Sequence, residues 1–480
     1  MKKFFKVTRK NKKIILGACV GAAVVLAVGL SIYIYTADHN TLGRKISIYG
    51  MDVSKLTVEE AEQKILNGFQ EQKVDFEEDG AEVYEVTLGD LGYSLDADDL
   101  KTQLQDLQKK REETRRLLAS QEDYRIVYQV NKDADQERSA LVSENFGDKE
   151  RTASVDASVQ YDGQQKKFIM INETQGNMID EKRLLNYVDA TLDSDFQTGL
   201  LNGSFTITMG TEVYQQPVSA TSKKMKKKLK KLNKKLDAYR SATVTYTLGS
   251  ETQVLDNSTT EGWIKVEGEN ISIDQDQATA YVQQLATDYN TIYVPRTFHT
   301  TSGSDVTVSD NEYGFQIDQE GELSQLLSDL EGGKPVTRDP VYSISGMQRS
   351  GRDDLAGSYI EVSLDAQHLW LYKDGALVTE TDIVSGAPTP QRETMRGAWP
   401  IAYKASPYTL TSDQYGYNTK VTYWMPFVYG QGLHDAAWQS SFGGNRYKSG
   451  AGSHGCINLP KDQAALIYNT IDGGYPIIIY

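Results

Sequence analysis

Residues Ile14 to Tyr35 form 22 consecutive positions without a charge, directly after a basic N-terminus. As a helix rising ~1.5 Å per residue, the run spans roughly 33 Å, enough for a hydrocarbon layer of ~30 Å. Lys2, Lys3, Lys6, Arg9, Lys10, Lys12 and Lys13 precede it, with no acid among residues 1–13. Basic flanks stay on the cytoplasmic side. The pattern therefore predicts a cytoplasmic tail over 1–13, a single transmembrane helix over 14–35, and everything beyond it outside the cell membrane. A cleaved export signal fits poorly, because Tyr35-Thr36-Ala37 is not a small-x-small site.

The 480 residues exceed one ordinary core, and length alone points to about three domains. With 39% hydrophobic and 24% charged residues, the bulk is folded rather than disordered or many-pass. The net charge is −15, and removing the +7 tail leaves −22 on the remainder. Such an acidic exterior argues against nucleic acid as a partner. Of the two cysteines, Cys19 lies in the apolar run and Cys456 near the C-terminus. They cannot pair across that separation, so Cys456 is a free thiol that requires a reason.

Three segments share one pattern: Gly92-Tyr93-Ser94-Leu95-Asp96, Gly176-Asn177-Met178-Ile179-Asp180 and Gly314-Phe315-Gln316-Ile317-Asp318, each followed by spaced leucines. Each predicts a strand end, a turn at glycine, an Asp N-cap and an amphipathic helix. Related helix starts occur at Leu56-Thr57-Val58-Glu59-Glu60-Ala61 and at Ile273-Asp274-Gln275-Asp276-Gln277-Ala278, and Ser204–Met209 and Ala242–Leu248 alternate like strands. The fold class is multidomain, with repeated α+β modules after the anchor. A membrane-proximal segment covers 36–120, one module 121–220 and a second 221–340. Lys223–Lys235 holds nine lysines in thirteen residues, with Met225, Leu229, Leu232 and Leu236 at helical spacing. A helix there lays one apolar stripe on its module and turns the lysines to solvent.

Near Gly357 the texture becomes mostly β. Tyr359–Leu364 and His368–Tyr372 read as strands, Asp374-Gly375 as a hairpin turn, and Ile383–Gly386 and Trp399–Tyr403 as further strands. Pro460 starts a helix with Ala464, Ile467, Tyr468 and Ile471 on one face, and Ile477–Tyr480 is a buried final strand. Within this domain, 357–480, stands Ser453-His454-Gly455-Cys456-Ile457-Asn458, with His434-Asp435 upstream. A thiol becomes a strong nucleophile when an imidazole takes its proton. A strand through His454 and Cys456 would put both on one face, and Gly455 would leave amide N–H groups free for an oxyanion. A core cysteine is seldom set in a run so rich in glycine and polar residues, and one cysteine with two histidines lacks a fourth zinc ligand.

At these residues the chain resembles the L,D-transpeptidase catalytic domain: His434, eighteen residues, then Ser453-His454-Gly455-Cys456, an apolar residue and Asn458. Thr394-Met395-Arg396-Gly397 departs from the Thr-Pro that many relatives carry before the glycine. The upstream repeats are similar to the peptidoglycan-binding modules that precede this domain in Gram-positive relatives. The resemblance implies Cys456 as nucleophile and His434 as general base. His454 and Ser453 would orient the site, the Gly455 and Cys456 amides would form part of an oxyanion hole, and Asn458 would fix the loop. Asp435 is left out as a triad acid, since an adjacent strand residue points away.

The implied partners are peptidoglycan stem peptides, a tetrapeptide donor and an amine acceptor, with no metal, nucleotide or other cofactor. Release of D-Ala through a thioester would give a 3→3 cross-link, and carbapenems would acylate Cys456. The same thioester resolved by water would make an L,D-carboxypeptidase. A sortase lacks support here, having no Thr-Leu-x-Thr-Cys run, and an inactive wall-binding protein is the non-enzymatic alternative. The lysine-rich helix is either a solvated face or attracted to anionic wall polymers or lipid headgroups.

Overall fold

The computed structural model describes residues 20–33, 39–114, 120–146, 150–196 and 203–480. The basic tail and residues 14–19 and 34–35 of the expected span lie outside them. Residues 20–33 are helical and exposed. Among the described residues no helix is long and apolar enough to cross a membrane.

The chain forms two compact units, one from the residues up to Ser158 with Ile171–Met225, the other from Val159–Met170 with Lys226–Tyr480. In the first unit, Phe205–Met209 runs parallel to Lys73–Glu78, which is antiparallel to Ala81–Thr87. Likewise Ile46–Ile48 pairs with Glu122–Tyr124, and Tyr93–Leu95 with Val130–Lys132. Residues 36–120 and 121–220, separate in the sequence reading, thus contribute jointly to one core that includes Ile65, Phe76, Leu104, Leu184 and Ile207.

The second unit holds most of the helix Lys223–Ser241 and a sheet in which Thr243–Leu248 lies between Glu251–Leu255 (antiparallel) and Pro335–Arg338 (parallel). This is the strand order of the first unit's sheet. In both, a helix precedes a hairpin and the last strand returns parallel beside the first. The three Gly-to-Asp segments behave alike. The carboxylates of Asp96, Asp180 and Asp318 accept from the amides of Asp99, Arg183 and Gly321 at 2.9–3.1 Å, capping the helices that follow. Thr57 and Glu60 form a reciprocal capping box.

The C-terminal domain is built on a five-stranded sheet. We label its strands β1 (Tyr359–Ser363), β2 (His368–Lys373), β3 (Ala376–Asp382), β4 (Gly397–Pro400), β5 (Tyr408–Ser412), β6 (Tyr417–Val421), β7 (Trp424–Val428), β8 (Gln431–Asp435), β9 (Ile457–Leu459) and β10 (Pro476–Ile479). The main sheet has the order β3-β2-β1-β10-β4, with β10 parallel to β1. A second sheet has the order β7-β8-β9, with β9 parallel to β8, and β5–β6 is a separate hairpin. Between the sheets pack Ile360, Leu371, Met425, Leu433, Ile457, Ile467 and Ile477. The turn at Asp374-Gly375, both with positive φ, is the tight hairpin expected. One expected strand is not formed and another is shorter than expected. Ile383–Gly386 makes only isolated bridges, Val384 to Asn458 and Gly386 to Ser453, and the strand at Trp399 stops at Pro400.

The hairpin Arg296–His299/Asp305–Val308 joins the module to this sheet. Thr301 donates its amide and hydroxyl to the fully buried Glu361 carboxylate at 2.9 and 2.6 Å, and Tyr480 donates its hydroxyl at 2.6 Å. Arg296 makes a two-pronged pair with Asp354 at 2.8 and 2.9 Å.

Candidate active site

Strands β8 and β9 run side by side and bring the backbones of the His434 and Cys456 segments together. Their parallel register sets His434 opposite Asn458 and Leu433 opposite Ile457. Cys456 therefore stands two residues before the partner of His434, at the entry to β9. Both are buried, His434 at 2% and Cys456 at 8% exposure. The His454–Cys456 stretch is not a strand, as the sequence reading required; it bends, and β9 begins at Ile457. The cause is Gly455, whose φ of +118° no extended strand adopts. A Cβ at this position would lie 2.4 Å from Gln431 Nε2, so close packing requires the glycine as well.

Ser453 pins the bend. Its hydroxyl donates to the Cys456 carbonyl at 2.5 Å and accepts from the Gly455 amide at 3.0 Å. This corrects the expectation that the Gly455 amide is free for an oxyanion. Of the expected pair, only the Cys456 amide has no partner among the described residues. Thr394, almost fully buried, accepts from the Gly386 amide and donates to the Gly455 carbonyl, both at 2.9 Å. Gln431 holds the same neighbourhood, accepting from Met395 N and donating to the Glu393 carbonyl. Arg392 donates to the Gly452 carbonyl at 2.8 Å.

The tautomer of His434 follows from its neighbour. Nδ1 lies 3.0 Å from the Asp435 carbonyl, which can only accept, so Nδ1 carries the hydrogen and Nε2 keeps its lone pair. Burial holds this imidazole below the ordinary histidine range, against the opposing pull of that carbonyl and the Asp435 charge. Burial also pushes the Cys456 thiol up to about 11, partly countered by the Gly432 amide. The resting pair is a neutral thiol and a neutral imidazole. The Asp435 side chain turns away and accepts from the Thr422 and Tyr423 amides at 2.7 and 2.8 Å. The Asp435 carbonyl, not its carboxylate, bonds to the imidazole ring.

His454 is a wall of the site. Its ring stacks on Tyr415 at 4.1 Å and on Tyr417 at 5.4 Å, drawing in the β5–β6 hairpin. Burial and the Arg392 charge both lower its basicity. Asn458 fixes the loop through its backbone, which exchanges bonds with Val384, while its side-chain Oδ1 is buried without a partner. A cleft of 340 Å³ runs between the hairpin and β7, lined by Tyr408, Tyr417, Trp424, Val428 and Gly430. Cys456 Sγ lies 4.0 Å from the Gly430 carbonyl oxygen at its end. Sequence reasoning missed Thr394, Gln431, Trp424, Tyr415 and Tyr417. The density of aromatics between Tyr403 and Tyr429 was the signal available for the last three.

A buried thiol, a buried imidazole with its Nδ1 bonded to a carbonyl and an amide without a partner among the described residues are the ingredients that cysteine acyl transfer requires. A model of the L,D-transpeptidase catalytic domain matches residues 357–479, and one described as "Putative peptidoglycan binding domain" matches 225–338. The chain belongs to the L,D-transpeptidase family. It is 32% identical to the L,D-transpeptidase Ldtfm solved as its avibactam carbamoyl enzyme, covering 98% of that chain and 53% of this one at a TM-score of 0.46. A cysteine-to-serine mutant of the Enterococcus faecium L,D-transpeptidase gives 32% identity, 97% and 51% coverage and a TM-score of 0.45. The E. faecium catalytic domain acylated by ertapenem is 41% identical, with 97% and 26% coverage and a TM-score of 0.24. No curated protein sequence matches the chain.

Proposed function

We propose that this chain is a peptidoglycan L,D-transpeptidase that forms 3→3 cross-links through a thioester on Cys456. The observation that supports the reading is the β8–β9 register, in which the residue carrying the buried thiol immediately precedes the strand paired with that of a buried histidine whose Nδ1 is bonded to the Asp435 carbonyl. Cys456 gives its proton to His434 Nε2 as sulfur attacks the carbonyl of the donor's third stem residue. The Cys456 amide faces the developing oxyanion. The carbon–nitrogen bond to D-Ala then breaks, and His434 returns the proton to the departing amine. An acceptor amine on a neighbouring stem attacks the thioester, the carbon–sulfur bond breaks, and the thiol is restored. Ser453, Gly455 and His454 hold the loop in which this happens.

Incubating the protein and its Cys456→Ala variant with disaccharide-tetrapeptide, and reading products by mass spectrometry, tests the proposal. Cys456-dependent loss of D-Ala with 3→3 dimers is expected. Loss of D-Ala without dimers would assign an L,D-carboxypeptidase, and no change would favour a wall-binding protein. Relatives have been solved acylated by ertapenem and in complex with imipenem. By analogy a carbapenem should add its mass to Cys456.

The same proposal places the chain in the cell membrane, with residues 14–35 as a single-pass anchor, a cytoplasmic N-terminus and the catalytic domain outside. The charge-free run and its basic flank support this. Release of the full chain from membranes by alkaline carbonate would count against it.

A further inference from the structure

The helix Lys223–Ser241 carries a face that catalysis does not use. Lys226, Lys227, Lys230, Lys231 and Lys234 are exposed, and none has an ion pair or hydrogen bond among the described residues. At about 100° per residue the five fall within an arc of roughly 140°. The opposite side is occupied. Met225, Leu236 and Tyr239 are buried, Leu229 and Leu232 half-buried, and Asn233 exchanges two 2.9 Å bonds with the Phe168 backbone. At the margins of the lysine face, Lys228 pairs with Glu269 at 2.5 Å and Lys235 donates to the Ile271 carbonyl at 3.3 Å. The centre of the face has no such relief, and Lys226/Lys230, Lys227/Lys231 and Lys230/Lys234 repel at i,i+4 spacing. In a chain of net charge −15, this concentration of cations is not a drift of composition.

We infer that this face binds a flexible, linear polyanion with repeating phosphodiesters. Ammonium groups on long stems suit such a ligand as mobile point charges. An interfacial helix also offers apolar side chains to the lipid, but here the helix's own apolar stripe is turned into the protein. The lysines also fan through a wider arc than a flat bilayer touches, whereas a flexible chain can follow it. This surface is separate from the acyl-transfer reading and does not depend on it.

The full-length protein in neutral detergent would be titrated into fluorescein-labelled poly(glycerol phosphate) at 50 and 200 mM salt, with anisotropy as the readout. About five neutralised phosphates, at ~0.7 ions released per contact, give a log–log salt slope near −3.5, or roughly a 100-fold loss of affinity over that range. Replacing all five lysines by glutamine should abolish most binding, and replacement by arginine should retain it. The milder pair Lys230→Gln with Lys231→Gln should make the slope shallower by about 1.4 even if the fivefold change misfolds. D-Ala release and circular dichroism should not move in the pair variant. Equal affinity and slope for wild type and the glutamine variants would overturn the inference. Lysine-dependent binding confined to vesicles of 30% phosphatidylglycerol in phosphatidylcholine would also overturn it, and would assign the face to a membrane.

Discussion

Burial acts on Cys456 and His434 in the same chemical sense, making both neutral at rest. The sign of the pH dependence follows. A thiol raised to about 11 stays protonated at neutral pH, so its thiolate fraction grows tenfold per pH unit below that value. Iodoacetamide labelling of Cys456 should therefore accelerate about tenfold per unit from pH 7 to 9, and a plateau beginning near pH 6 would instead reveal a preformed ion pair. In the proposed mechanism His434 must be neutral to accept the proton, and burial, by lowering its pKa, favours that form. The acid limb of the D-Ala release profile should lie below the usual histidine value of about 6.5. Replacing His434 by glutamine should reduce turnover by about 10²–10⁴-fold while leaving the fold intact. The loop residues depend on geometry as much as chemistry. Thr394→Val keeps the shape but leaves the Gly386 amide and Gly455 carbonyl unpaired. It should destabilise the protein by about 1–3 kcal/mol, visible as a lowered denaturation midpoint.

At the scale of elements, the β5–β6 hairpin is held over the site by ring stacking. Tyr415 meets His454, and Tyr408 lies 5.6 Å from Trp424 with planes 11° apart. Aromatic pairs of this kind contribute about 0.5–1.5 kcal/mol each beyond burial. Tyr415→Ala should thus lower kcat/KM by about 2- to 10-fold, whereas Tyr415→Phe keeps the stack and loses only the bond to the Gln391 carbonyl. Steady-state kinetics on both variants separates the two contributions; equal losses would mean that the hydroxyl, not the ring, holds the hairpin. The helix caps were legible in the sequence, because an Asp or Thr satisfies amides only two or three residues away. The His454–Cys456 bend was not. Periodicity treats Gly455 as one more strand residue, while its φ is set by the Ser453, Thr394 and Gln431 contacts around it.

On the scale of the whole molecule, Glu361 links the module hairpin to the catalytic sheet. Its carboxylate is buried without a cationic partner among the described residues and depends on Thr301 and Tyr480 as donors. Glu361→Ala would leave those donors without their acceptor at a cost of about 1–3 kcal/mol for each group left unsatisfied. Calorimetry should then show the module of residues 225–338 and the catalytic domain unfolding separately, where the unaltered protein gives one joint transition. A second joint transition in the variant would show that Arg296–Asp354 suffices to couple them.

By itself, the sequence determined the features whose causes are local: the capped helices, the tight turn at Asp374-Gly375, the lysine-rich amphipathic helix, and the run Ser453–Asn458 with His434 upstream. Each depends on residues a few positions apart or on a motif recognisable as a string. Tertiary structure decided the rest. The return of Phe205–Met209 beside Lys73–Glu78 joins residues 36–120 and 121–220 in one core. The Gly455 amide is taken by Ser453, which leaves the Cys456 amide as the one of the two without a partner among the described residues. Asp435 offers His434 a hydrogen bond through its carbonyl, while its carboxylate bonds to the Thr422 and Tyr423 amides instead. These outcomes turn on which distant backbone lies opposite a given residue, and parallel pairing across a long loop leaves no period in the chain from which to read it.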